Sequence, residues 1–250
     1  MEGNHAAARS DAKRLLLISN STQHGGGYLD HVESEIREFL GAARRVLFVP
    51  FALFDQDAYV ELARARFERI GYSLHSLDRE RDILQAVESA DGVFVGGGNT
   101  FRLLNSLYSS GVMPALRAQV ARGIPYIGSS AGSIVACPSL KTTKDMPVVE
   151  PPSFEALGLV DFQISPHYLD PDPLSKHMGE TQEQRIQQFL EENELPVVGL
   201  REGSFLRVEG GSTVLKGKPG ARVFRRGHSP LEVQPGSELR GLLFPEGSDR

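Results

Sequence analysis

Short apolar runs alternate with amphipathic stretches through the first two-thirds of the chain. Leu15–Ser19 (LLLIS) reads as a buried strand, ended by the polar residues Asn20, Ser21 and Thr22 and by Gly25–Gly27. Leu29, Val32, Ile36 and Leu40 then recur every three or four residues, which is one face of a helix, with Gly41 where a C-cap belongs. Val46–Pro50 predicts a second strand and Asp57–Gly71 a second helix; Tyr72–Leu77 predicts a third strand, followed by a helix marked by Ile83, Val87 and Ala90. Val93–Val95 runs into Gly96-Gly97-Gly98-Asn99, and helices follow through Phe101, Leu104 and Leu107 and over Val112–Ala121. Tyr126-Ile127 then enters Gly128-Ser129-Ser130-Ala131-Gly132.

Strands alternating with helices imply βαβ units and a mostly parallel sheet covered on both faces. The Gly-rich and Asn/Ser-rich turns fall at the C-terminal strand ends, where such sheets present their functional groups. After about residue 195 the runs Val197–Leu200, Phe205–Val208, Thr213–Leu215 and Arg222–Phe224 are separated by Gly-containing turns. They predict a small antiparallel β extension of the same domain. One α/β domain is expected over residues 13–240, with residues 1–12 a flexible extension and the Pro-rich stretch Met146–Phe154 an ordered loop beside the centre of the sheet.

Composition narrows the function. The 250 residues carry 27 Lys+Arg against 32 Asp+Glu, a net charge of -5, so the basic footprint of a nucleic-acid binder is missing. The single cysteine, Cys137, excludes a disulfide scaffold and a multi-cysteine zinc site; its place after an apolar helix start predicts a core role. No His/Asp/Glu cluster has metal-ligand spacing. No run approaches the roughly 20 apolar residues that span a bilayer, and the first apolar run is too short for a signal-peptide core. A cytoplasmic protein, with no membrane partner, is expected. No stretch singles out an oligomer interface, which leaves a homodimer open.

Gly128-x-Ser130-x-Gly132 between a strand and a helix is the most informative segment. A sharp turn there exposes a serine hydroxyl, and nearby backbone N–H groups can hold an oxyanion. Ser129 and Ser133 compete for the nucleophile role, but the spacing favours Ser130. Among the histidines, His31 is expected on the polar face of the first helix and His24 and His177 in loops. His167 ends the run Asp161–Pro166, and so stands at a strand end fit for a general base. Asp145 and Glu202 are both candidates for the acid that orients the imidazole. Gly96–Asn99 opens a helix but fails the dinucleotide fingerprint, because Phe101 stands at the third glycine position. That stretch reads better as an anionic site, including Asn99, beside Ser130.

Seven blocks stand in order: Ser19–Thr22, Val95–Phe101, Tyr126–Gly132, Thr142–Val148, Ile164–His167, Gly179–Ile186 and Gly199–Gly203. Together they resemble the peptidase E group of the S51 serine peptidases, the α-aspartyl dipeptidases, from about residue 14 to about residue 235. The resemblance implies a class I glutamine-amidotransferase-like, flavodoxin-like α/β sandwich. It implies hydrolysis of Asp-X dipeptides without a cofactor, with Ser130 as nucleophile and His167 as base. Glu202 is favoured as the triad acid and Asp145 as an essential neighbour; the oxyanion hole would come from the N–H groups of Gly98 and Ala131. An aspartate substrate needs a cation or strong donors, for which Arg185 is the first candidate, ahead of Lys141, Thr143 and His177. Ser129, smaller than the residue often found before the nucleophile in this group, is expected to widen the pocket. The rival readings are a cyanophycinase-like β-aspartyl peptidase and a catalytically silent, amidotransferase-like protein that binds a small anion.

Overall fold

Two sheets meet at the C-terminal ends of their parallel strands, and that meeting positions the site. The computed structural model describes residues 12–176 and 178–245. The main sheet contains β1 (Arg14–Ile18), β2 (Arg45–Val49), β3 (Ser73–Ser76), β4 (Gly92–Val95), β5 (Tyr126–Ser129), β8 (Ser204–Glu209) and β9 (Ser212–Gly217). Its order is β3-β2-β4-β5-β1-β8-β9, parallel from β3 to β1 and closed by the antiparallel β8–β9 hairpin. A second sheet has the order β11-β10-β7-β6, from Leu231–Val233, Ala221–Phe224, Val197–Leu200 and Gln163–Pro166.

The C-terminal strands pair antiparallel as expected, β8 with β9 and β10 with β7 and β11. They divide between two sheets: the hairpin prolongs the main sheet, whereas β7 also pairs in parallel with β6. The run Val197–Leu200 is wholly buried, and a strand covered on both faces carries no alternation that would reveal its partner. The predicted extension at residues 1–12 falls, except for Ala12, outside the described residues.

Each parallel strand feeds both faces. Along β1, Leu15 and Leu17 join a core shared with the second sheet through Ile164, Val198, Leu200 and Val223. Leu16 and Ile18 point the other way, into a cluster with Ile36, Phe39, Phe48, Phe67 and Phe94. These four apolar side chains are fully buried, each stabilising the fold by about 1.5–3 kcal/mol. The second face is covered by α1 (Glu33–Leu40) and α2 (Gln56–Arg69). The helix expected from Leu29 begins as a 3-10 turn, Asp30–Val32, before α1, and Gly41 closes α1 with φ 55°. His31 sits in that turn, half-buried, and burial lowers its pKa; it is not on a solvated helix face.

The remaining helices used below are α3 (Ile83–Glu88), α4 (Thr100–Ser109), α5 (Met113–Ala121), α6 (Ala131–Val135) and α7 (Gln182–Glu192). Among the described residues, no helix is long and apolar enough to cross a membrane, and no cluster of His, Cys, Asp or Glu is placed to hold a metal ion.

Candidate active site

Ser130 stands between β5 and α6 with φ 50° and ψ -109°, a strained conformation for a residue with a side chain. The turn survives because its surroundings over-determine it. Ser130 N donates to Ile18 O at 2.9 Å, Tyr126 Oη donates to Gly132 O at 2.7 Å, and Ser133 Oγ sits 2.8 Å from Ile18 O. The two flanking glycines are a matter of space. A Cβ on Gly132 would lie 2.1 Å from Val95 O, and one on Gly128 would lie 2.5 Å from Gly132 O. The turn is thus pressed against β4, and only hydrogen fits at those positions.

Exposure separates the three serines. Ser129 and Ser133 are 0% exposed, while Ser130 is partly open. Ser129 therefore does not border an open pocket and cannot widen one, contrary to expectation. It is the last residue of β5, inside the sheet.

His167 comes from the other sheet, directly after β6, also with a positive φ of 52°. Its Nε2 lies 2.9 Å from Ser130 Oγ, and its Nδ1 lies 2.6 Å from Glu202 Oε1. An ionised carboxylate only accepts hydrogen bonds, so Nδ1 carries the proton and Nε2 presents its lone pair to the serine hydroxyl. Glu202 follows β7, the strand parallel to β6, so one strand pair delivers both groups to one edge.

Backbone contacts fix that edge. Ser19, at the end of β1, donates from Oγ to Leu200 O at 2.8 Å and accepts from His167 N at 2.9 Å. Asn20 Oδ1 accepts from Gly203 N at 2.7 Å, beside Glu202. The His167 carbonyl accepts from Lys144 Nζ at 3.0 Å and from Gln182 Nε2 at 3.1 Å. The roles of Ser19, Asn20, Lys144 and Gln182 were missed by sequence reasoning. Ser19 and Asn20 carried a signal, since they stand at a C-terminal strand end; Lys144 and Gln182 carried none beyond their blocks.

Asp145 is placed differently from Glu202. Its Oδ2 accepts from Thr100 N at 2.7 Å and Thr100 Oγ1 at 2.6 Å, at the start of α4. Thr143 Oγ1 donates to Thr100 Oγ1 at 3.0 Å. Asn99 caps α4 through Arg102 N at 3.0 Å and donates to Met146 O at 2.8 Å. Asp145, Thr143 and Asn99 thus clamp the 141–146 loop to α4. Between the two acids, it is Glu202 that touches the imidazole.

Gly98 and Ala131 flank the serine from two elements. Gly98 has φ +136°, with Asn99 N anchored to Ala52 O at 2.9 Å, and the preceding Gly97 would carry a Cβ 3.1 Å from Ser130 Cβ. Ala131 is the first residue of α6. Arg185, on α7, lies beside Thr143, Lys144 and Gln182 around a small cavity, but its Nε faces Glu180 Oε2 at 3.7 Å. Lys141 is exposed and donates to Asn193 Oδ1 at 3.1 Å. His177 lies outside the described residues. Cys137 is buried, and burial pushes its thiol up to about 12, which leaves it inert.

Comparison with known proteins gives the same direction. The family model described as "Peptidase family S51" matches residues 15–216. Peptidase E of Streptomyces coelicolor is 55% identical over 233 residues, covering 93% of this chain and 96% of that protein. A probable alpha-aspartyl dipeptidase of Drosophila melanogaster is 45% identical, covering 94% and 99%. The crystal structure of a putative peptidase E protein from Listeria monocytogenes superposes with a TM-score of 0.64 at 25% identity, covering 82% of this chain and 98% of that one. A peptidase from an acI-B1 Actinobacterium shares the fold with a TM-score of 0.67 at 16% identity, covering 91% and 96%. With the strained serine, the histidine beside it and a family match over most of its length, the chain belongs to peptidase family S51.

Proposed function

We propose that this protein is a serine dipeptidase that hydrolyses Asp-X dipeptides with an N-terminal aspartate. The observation that carries the reading is the continuous relay from Ser130 Oγ to His167 Nε2 at 2.9 Å and from His167 Nδ1 to Glu202 Oε1 at 2.6 Å. The names of the Streptomyces and Drosophila relatives support the substrate class.

The chemistry is acyl transfer. His167 Nε2 takes the Ser130 proton as Oγ attacks the peptide carbonyl carbon. Glu202 holds the tautomer and stabilises the imidazolium that forms. The N–H groups of Gly98 and Ala131 are assigned to the oxyanion, each worth about 100- to 1000-fold in rate. His167 then gives its proton to the leaving amine, and the C–N bond breaks. Water, deprotonated by the same nitrogen, cleaves the ester and frees aspartate and serine. These steps use protein groups and water. Asp145, Thr143 and Asn99 support the site in this reading by holding the loop beside it. The one cysteine, buried, suits a reducing, cytoplasmic setting.

The test is release of free aspartate from Asp-Leu, with Asn-Leu and β-Asp-Leu in parallel, for wild type and Ser130→Ala. Cleavage of Asp-Leu alone, lost by at least about 1000-fold in the variant, is expected. Cleavage of β-Asp-Leu in preference would move the reading to a β-aspartyl peptidase. Activity that survives Ser130→Ala would remove the serine mechanism.

A further inference from the structure

An enzyme that takes aspartate and refuses asparagine opposes the side-chain carboxylate with a cation or with strong donors, because the two side chains match in shape and differ in charge and in hydrogen-bonding sense. Arg185 is the cation that sequence favours, yet its guanidinium is turned to Glu180, with Nε 3.7 Å from Oε2. Another cation reaches the relay. Lys144 belongs to the loop clamped to α4, and its ammonium donates to the carbonyl of His167 itself. That bond uses one of three ammonium hydrogens.

A cavity of about 70 Å³ adjoins it, with Thr142, Thr143, Lys144, Ser165, Gln182 and Arg185 in its wall. Gln182 also donates to the His167 carbonyl, so the cavity wall and the backbone of the base form one hydrogen-bonded unit. A water molecule claims roughly 30 Å³ of liquid. The space therefore suits a group of a few heavy atoms, such as a carboxymethyl arm.

We propose that Lys144 recognises the side-chain carboxylate of the substrate aspartate, with that arm seated in the cavity between the 141–144 loop and α7. The proposal rests on the aspartyl-dipeptidase reading. The carboxylates near Lys144 have other direct partners: Thr100 for Asp145 and His167 for Glu202. Both act on the ammonium through space. An incoming carboxylate would be its first close counter-charge.

The same crowding gives a pH signature. Lost hydration pulls the Lys144 pKa down to about 8; Asp145 and Glu202 oppose that shift and Arg185 adds to it. The groups facing the ammonium are thus Asp145 on its own loop, Glu202 after β7, Arg185 on α7 and His167 at the end of β6. Below about pH 8 the reader is charged; above it the charge is lost. The preference for Asp-Leu over Asn-Leu should fall as pH rises through that value. The ratio cancels the substrate α-amine, which titrates in the same range in both dipeptides.

The decisive experiment measures kcat/KM on Asp-Leu and Asn-Leu for wild type, Lys144→Gln and Lys144→Arg. Glutamine keeps an N–H for the His167 carbonyl without the charge; arginine keeps the charge. The expected result is an Asp-over-Asn preference reduced about 100-fold in Lys144→Gln, mostly through KM, and held within about tenfold of wild type in Lys144→Arg. An unchanged preference in Lys144→Gln overturns the proposal. So does an equal fall on both substrates in both variants, the mark of a lysine that only steadies His167. Wild-type protein that cleaves neither dipeptide overturns the activity, and the lysine's role with it. Wild-type protein that prefers Asp-Leu, with the preference intact in Lys144→Gln, overturns the lysine alone.

Discussion

Ser130 and His167, the proposed nucleophile and base, are held by opposite strategies. Ser130 sits in a turn fixed by steric contact: Gly128 and Gly132 admit no Cβ, and the serines on either side of the nucleophile are fully buried. His167 and Glu202 sit at loop ends whose side chains are 39% and 51% exposed, fixed by hydrogen bonds from β1, the 141–146 loop and α7. Packing tolerates almost no change and gives a single position. Hydrogen bonds hold direction with less bulk, which leaves the base room to turn between serine and leaving group.

That contrast can be broken at either end. The largest effect is expected from Gly132→Ala. The new methyl would collide with the Val95 carbonyl, and backbone cannot step aside as a flexible side chain can. A loss of about 4 kcal/mol or more, or no folded protein, should appear in urea or thermal unfolding. A soluble variant with wild-type stability would show that the turn is looser than described.

Glu202→Gln comes next and tests the other strategy. The imidazole would face an amide that can also donate, so the productive tautomer loses its enforcement. Activity should fall about 1000- to 10,000-fold. Stability should stay within about 1 kcal/mol, since the pair is solvent-exposed. A fall in melting temperature as large as that of the glycine variant would erase the distinction.

The smallest effect is expected from Ser19→Ala, which touches both strategies. It removes one of two donors to Leu200 O, which keeps the Tyr168 N–H at 3.1 Å, and it removes the acceptor of the His167 N–H. About 1–3 kcal/mol of stability should be lost, with a fall in kcat larger than any change in KM. Unchanged kcat would mean that the His167 backbone is set elsewhere.

How far the sequence speaks follows the same division. Gly128-x-Ser130-x-Gly132 was legible because steric demands write themselves as residue types: only glycine fits. The helical faces of Ile36 and Leu40, and the parallel strands through β5, were legible from periodicity. The second sheet was not, because a fully buried strand such as Val197–Leu200 looks the same beside any neighbour. Nor, without the family resemblance, was the choice between Asp145 and Glu202. Both are acids in loops, and what separates them is that one loop meets Thr100 and the other meets the imidazole. Contacts between loops far apart in sequence leave no local pattern, and the bond from Lys144 to the His167 carbonyl is another of them.

Ser19 has a consequence for how the enzyme tolerates drift in its core. Ser130 belongs to one sheet and His167 to the other, so their separation could have depended on every side chain packed between the sheets. A single hydroxyl, bonded to both Leu200 O and His167 N at the tip of the strand that also receives Ser130 N, acts instead as a gauge block. Its length is set by hydrogen-bond chemistry, which varies by tenths of an ångström. Core residues can be exchanged for others of different volume, and the sheets can shift at their far ends, while the reacting atoms keep their distance.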